Sequence, residues 1–433
     1  MSKASWKACK RAKLSWLHDR RHSSFLASLW RGLFRLHTER FVLQIKITSV
    51  LPLMLIGLLI GPVFHLVNTS KTSTVVAVVP YITALAVSFL LFDVGLRIKI
   101  KDLGISYALK FTFALATATG ILLGIGIYLS TGMNVYLSFA AGFGLAGPSA
   151  VVIPTLMKTA KVNPKLKALL NFESVVVDTV TLIIPLLLIE LLAQKSVGLG
   201  SLGRLFANFL IGSTAIGIIS SFFWIFILHT FRSHSEEYSW MLTITMVIAT
   251  YGLAQAFGAS GAVAVFIFGL ILANTQEMGK AIKQYTASMQ KMISHISRFQ
   301  KEVVFFVSTF FFVYIGLLFK ISANDLWLLL ISALLTIIIY FVRSMFIPMI
   351  KLTFEEKEEG AEHTIARFSI ARGLSPIVVA TLPAAYGVHA PSKFVDLLFL
   401  SVLITNIVTT YGMYLFAKQL TKSGQAQKKP EKS

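Results

Sequence analysis

The chain has 433 residues, 55% hydrophobic and only 14% charged, with a mean hydropathy of +0.75. A soluble fold of this length could not hide that much apolar surface from water. The apolar runs are continuous, not alternating, so a β-barrel is excluded as well and the expected class is an all-α polytopic membrane protein. The net charge of +21 fits basic residues gathered on the cytoplasmic side of a bilayer better than a nucleic-acid partner, and none is expected. The single cysteine, Cys9, excludes an intramolecular disulfide and a cysteine metal centre.

Residues 1–46 are rich in Lys and Arg, with Asp19 and Glu39 as their acids. Phe25, Leu26, Leu29, Trp30, Leu33 and Phe34 share one helical face, with Arg31 and Arg35 at its edge or behind it. This predicts a cytoplasmic segment whose interfacial amphipathic helix lies on anionic lipid headgroups. An organellar transit peptide has a similar composition.

About twelve apolar segments of spanning length follow, near 48–67, 72–96, 105–130, 133–157, 166–193, 204–229, 238–257, 260–275, 303–319, 325–350, 365–387 and 394–417. The polar stretch 276–301 reads as a connecting helix, and 418–433 as a basic tail. Basic residues crowd alternate connections: Arg97, Lys99 and Lys101, then Lys158, Lys161, Lys165 and Lys167, then Lys280 to Lys301 and the C-terminal tail. That asymmetry predicts both termini in the cytoplasm. The plasma membrane is the expected location, and an organellar inner membrane the alternative.

Segments four and eleven share a pattern. GFGLAGPSAVVIPTL and ARGLSPIVVATLP each carry glycine, then proline beside serine, then Val-Val, then another proline. Gly147-Pro148-Ser149 matches Leu374-Ser375-Pro376 in character. Proline removes a backbone donor and clashes with the preceding turn, so both segments should be unwound near mid-membrane. They run in opposite directions. Paired interrupted helices in inverted halves mark a transport site.

Ionisable groups within spans are costly and mostly functional. Glu173 and Asp178 lie in segment five, Arg343 in segment ten and Arg372 in segment eleven, while Asp93, Arg97 and Lys110 sit near span ends and can snorkel. Five residues of helix turn Glu173 and Asp178 about 140° apart, so the two acids cannot share one site. Arg343 is the natural partner of one of them. Pairing with Glu173 would leave Asp178 to hold a proton or a small hard cation, but not both at once. Ser174 and Thr181, one turn either side, and Ser149 with the carbonyls of the broken helix could complete an oxygen shell. The other reading of Asp178 is a buried acid satisfied by hydroxyls or an arginine.

These residues resemble a family. PLMLIGLLIGP, LLFDVGLRI, ESVVVD, FGASGAVAVFIFGLILAN, STFFFVYIGLLF, FVRSM and ARGLSP stand in the order and spacing of the motifs of monovalent cation:proton antiporters of the sodium/hydrogen exchanger type. The resemblance covers roughly 48–417. It implies inverted repeats with two crossed discontinuous helices, a core of spans near 105–193 and 325–417, a dimerisation part near 48–96 and 238–319, and a homodimer. It implies Asp178 as the ion- and proton-binding carboxylate for Na+ or K+, Glu173 and Arg343 as a structural pair, alternating access, and no cofactor. Arg372 is a further charge for the cavity.

The chain departs from the family pattern where Thr-Asp-Pro is replaced by Ala146-Gly147-Pro148 and where Val177 precedes the site acid. With Asp178 alone titrating, exchange of one cation for one proton is expected. A sodium-coupled organic-anion carrier, using Arg372, and a non-transporting protein that keeps the fold are the rival readings. No nucleophile motif, phosphate loop or histidine metal spacing points to an enzyme.

Overall fold

The computed structural model describes residues 50–66, 79–98, 106–160, 162–193, 211–230, 239–282, 287–319, 326–351 and 359–426. The expected amphipathic helix of the N-terminal segment lies outside them, as does Cys9. Fourteen α-helices and no strand occur among the described residues. They are α1 Val50–Leu58, α2 Val79–Arg97, α3 Ser106–Thr131, α4 Val135–Gly144, α5 Val152–Thr159, α6 Pro164–Ala193 and α7 Ser213–Thr230. Then come α8 Ser239–Ala256, α9 Gly261–Ile282, α10 Ala287–Leu318, α11 Leu326–Lys351, α12 Glu359–Phe368, α13 Ser375–Ala385 and α14 Ser392–Ala426. Among the described residues, six stretches are long and apolar enough to cross a bilayer, in α2, α3, α6, α10, α11 and α14, and five shorter apolar helices accompany them.

Both interruptions expected from the Gly-Pro pattern are present. α4 ends at Gly144 and α5 begins at Val152, and α12 ends at Phe368 while α13 begins at Ser375. In α1 the ladder widens into a π turn over Leu59–Val63, where Pro62 lacks the N–H that an α turn would use.

Two expectations are corrected. The polar stretch 276–301 is not a helix of its own: its start extends α9 to Ile282, and its end belongs to α10, one helix from Ala287 to Leu318. The tail does not begin at 418 as a separate segment, because α14 continues to Ala426. The polar residues up to Ile282, those from Ala287 and those up to Ala426 are helical all the same, since a helix leaving the hydrocarbon needs no apolar face.

The helices pack as two sets. In one, α9 lies against α2, α7 and α8, while α10 packs on α1, α2 and α8. In the other, α3 and α6 flank α4, and α14 packs against α11, α12 and α13. α13 also lies against α2 and α6, which joins the sets. Glycines allow the closest approaches, as expected where lipid offers no hydrophobic drive and backbone contact decides. Gly57 of α1 faces Gly316 of α10, and Gly95 of α2 faces Gly269 of α9; a Cβ at any of the four would run into the facing backbone.

Candidate functional site

The two interrupted segments touch at their breaks. The Ser149 N–H donates to the Ala371 carbonyl at 2.9 Å. Gly373 lies on Ser149, and a Cβ there would stand 2.7 Å from the serine Cβ, so only glycine permits this crossing. Ser149 also caps α5: its Oγ accepts from the N–H groups of Val151 at 3.3 Å and Val152 at 3.2 Å. On the other break, the Arg372 carbonyl accepts from Asn406 Nδ2 of α14 at 2.8 Å. The crossing is therefore built from unwound backbone held by side chains, the arrangement that leaves carbonyls and helix ends free for an ion.

α6 passes beside this crossing with both of its central acids. Glu173 is fully buried and grips Arg343 through two bonds, Nη1 to Oε1 at 2.6 Å and Nη2 to Oε2 at 3.0 Å. Arg343 Nε donates to the Ala366 carbonyl at 2.6 Å. The guanidinium thus serves both a carboxylate and the carbonyl end of α12, where a helix dipole favours positive charge. Asp178, on another face of α6, is half-buried. Its Oδ1 accepts a hydrogen bond from Ser375 Oγ, in the first turn of α13. Pro376 follows at the start of that helix, where its missing N–H costs nothing. The carboxylate therefore faces the positive end of a half-helix at the crossing, where an anion is favoured.

The hydroxyls expected to ring Asp178 are arranged differently. Ser174 Oγ donates to the Asn171 carbonyl at 2.9 Å, and Thr181 Oγ1 to the Asp178 carbonyl at 2.9 Å. Ser149 is engaged in capping. Their oxygens keep lone pairs, but Ser375, read in the sequence only as part of a break, makes the contact. Gly147 and Pro148 lie in the first break, and Gly147 packs on Val177 and Thr181 of α6. Arg372 is fully buried at the second break, and its Nε has no hydrogen-bond partner.

Three groups went unread in the sequence. Asn406, in the apolar run SVLITNIVTTY, holds the second break; an amide within a span is itself a signal for such a bond. The Ala366 carbonyl carries no side-chain signal at all. Glu190, in LLLIELLA of α6, is an intramembrane acid of the same kind as Asp178.

A multi-pass helical membrane protein with two interrupted helices crossing beside a carboxylate has the architecture of a secondary transporter. The chain belongs to the sodium/hydrogen exchanger transmembrane family, whose model matches residues 33–417. It is 24% identical over 329 residues to NhaS1 of Synechocystis sp., a low-affinity Na+/H+ antiporter, covering 74% of this chain and 60% of the relative. The chain thus spans about three-fifths of the length of that curated relative. Its fold is similar to that of the sodium proton antiporter MjNhaP1 of Methanocaldococcus jannaschii at pH 8, with a TM-score of 0.65 and 16% identity over 89% of this chain and 99% of that one. An electron-microscopy structure of MjNhaP1 gives a TM-score of 0.60 at 16% identity, over 94% of this chain and 99% of that one.

Proposed function

We propose that the chain exchanges a monovalent cation, Na+ or K+, for H+ across the plasma membrane by alternating access, with Asp178 as the group that carries either one. The observation that carries this reading is the position of Asp178: an intramembrane acid at the crossing of two broken helices, bonded to Ser375 at the start of α13. A proton and a cation compete for the same carboxylate oxygens, so loading one releases the other. Glu173 and Arg343 hold α6, α11 and the end of α12 together as a structural pair. Ser149, Ser174 and Thr181 supply further oxygens when the cation enters, after small rotations from their present partners.

The set containing α3–α6 and α11–α14 is the moving core in this reading, and the set around α9 and α10 the scaffold through which two copies meet as a homodimer. Both termini lie in the cytoplasm, and the basic N-terminal segment rests on anionic lipid. The family and the packing of the two sets support this arrangement, and the charge asymmetry of the connections supports the orientation.

The test is cation-induced proton movement in proteoliposomes, read by a pH dye, for wild type and Asp178→Asn with Na+, K+ and Li+ in turn. Wild type should dissipate a pH gradient with at least one ion and the variant with none. A wild type silent with all three would reject the reading and favour the organic-anion or non-transporting alternatives.

A further inference from the structure

The second break is rich in hydrogen-bond donors and poor in acceptors. Ala371, Arg372, Gly373 and Leu374 are all buried, and their N–H groups make no hydrogen bond among the described residues. Three of the carbonyls there are taken. That of Ala371 accepts from the Ser149 N–H at 2.9 Å and that of Arg372 from Asn406 Nδ2 at 2.8 Å. That of Leu374 accepts from the N–H groups of Ile377 at 3.0 Å and Val378 at 2.9 Å. The Arg372 side chain adds a further donor: the residue is 2% exposed and its Nε has no partner. The two central acids of α6 bond elsewhere, Glu173 to Arg343 and Asp178 to Ser375.

Buried N–H groups without acceptors are rare in folded proteins, and hydrocarbon offers no water to serve them. A buried guanidinium without a counter-charge is costlier still. A water between Arg372 and the buried, unpaired Oδ1 of Asn406 would satisfy hydrogen bonds but bring no charge. A cation would meet mainly donors. An anion meets donors and positive charge together: the guanidinium, the free N–H groups of the break and the N-terminal end of α13, whose dipole favours negative charge.

We propose that the second break binds a small monovalent anion of the chloride class, held by Arg372 and the N–H groups of residues 371–374, as the counter-ion of Arg372 when Asp178 is loaded. While Asp178 is ionised and empty, its charge balances the guanidinium at the crossing. Once a proton or a cation neutralises Asp178, the guanidinium is left unbalanced and its hold on the anion tightens. The anion is then present in both loaded states alike. This coupling rests on the exchange reading given above; the anion site itself does not.

The test reads binding and not exchange. Thermal unfolding in mild detergent is followed as choline chloride replaces choline gluconate at constant ionic strength and alkaline pH, gluconate being too bulky for the break. Wild type should show a saturable rise in Tm, with bromide as with chloride, and Arg372→Gln should abolish it. Asp178→Asn, neutral at the neighbouring carboxylate, should keep the rise and reach half-saturation at a lower chloride concentration. Anomalous scattering from wild-type crystals soaked in bromide serves if Arg372→Gln does not fold, and a peak beside the Arg372 guanidinium is expected. The proposal is overturned if wild type shows no saturable chloride shift, if the shift survives in Arg372→Gln, or if bromide leaves no peak at the second break. A half-saturation unchanged in Asp178→Asn overturns the coupling to Asp178. A chloride shift lost in Arg372→Gln, in a wild type that moves no protons with Na+, K+ or Li+, upholds the site and rejects the exchange reading.

Discussion

Gly147 and Val177 face each other, and replacing either should reveal the other. A Cβ on Gly147 would lie 2.8 Å from Thr181 Cγ2 and closer still to Val177 Cγ1. Carbon atoms prefer about 3.5–4.0 Å, so Gly147→Ala forces a shift of roughly 1 Å against α6. Val177 is only 1% exposed and cannot swing away. Overpacking of this kind costs about 1–3 kcal/mol. Val177→Ala alone removes two methyl groups, about 1.6 kcal/mol in transfer terms plus a cavity contribution. In the double variant the new methyl group enters the space that valine vacated, leaving only the Thr181 contact tight. The two single effects should therefore exceed the double effect by at least about 1 kcal/mol, beyond the ~0.5 kcal/mol within which independent sites add. Denaturant unfolding of the four chains in mild detergent measures this. Strict additivity would refute the claim that these two positions are packed as a pair. The same geometry predicts that Gly147→Asp is tolerated only with a smaller or polar residue at 177, so the two departures from the family pattern have to be reversed together.

Arg343→Ala should cost about 3–5 kcal/mol by stranding the buried Glu173 carboxylate, and Arg343→Lys should rescue little, because lysine cannot serve two carboxylate oxygens and the Ala366 carbonyl at once; unfolding in detergent checks both. Ser375→Ala should lower the rate of cation-induced proton movement by roughly tenfold through loss of the bond to a charged acceptor, with the size-exclusion profile unchanged. Gly316→Leu should separate α1 from α10, since even a Cβ at Gly316 strikes the Met54 carbonyl, and should appear as loss of folded protein on purification.

The sequence reading reached the two breaks, and through the cost of a buried arginine it reached the contact of Glu173 with Arg343. Those inferences rest on strong local rules: proline cannot continue a helix, and an intramembrane charge needs a partner. It did not reach Ser375 as the partner of Asp178. That contact depends on which way α13 points after the break, a tertiary fact with no local pattern. Ser149 was read as an ion ligand because it stands beside Pro148, but the open end of α5 takes its oxygen for a cap, a competing demand set by backbone N–H groups. Near 276–301 and 418 helix limits and apolar limits differ for one reason. Hydropathy reports where lipid ends, and a helix answers to hydrogen bonding, so α10 and α14 run on past the apolar window.

The charges at the crossing bear on how many ions can move. Among the described residues four ionisable groups lie there: Glu173 and Arg343, bonded to each other, and Asp178 and Arg372, with Asp178 bonded to Ser375 and the Arg372 Nε without a partner. The half-helix dipoles add nothing net, because each break presents one carbonyl end, of α4 or α12, and one N–H end, of α5 or α13. With Asp178 ionised and empty the crossing is neutral. A proton on Asp178 leaves the single positive charge of Arg372, and a monovalent cation beside ionised Asp178 leaves the same charge. In the proposed cycle the two loaded states are therefore electrically equal as they cross the membrane, so a membrane potential should do no net work on one-for-one exchange. Clamping the proteoliposome potential with valinomycin and K+ should leave Na+-driven proton movement unchanged. A rate that follows the potential would mean that a second group, with Glu190 the first to test, carries a proton alongside Asp178.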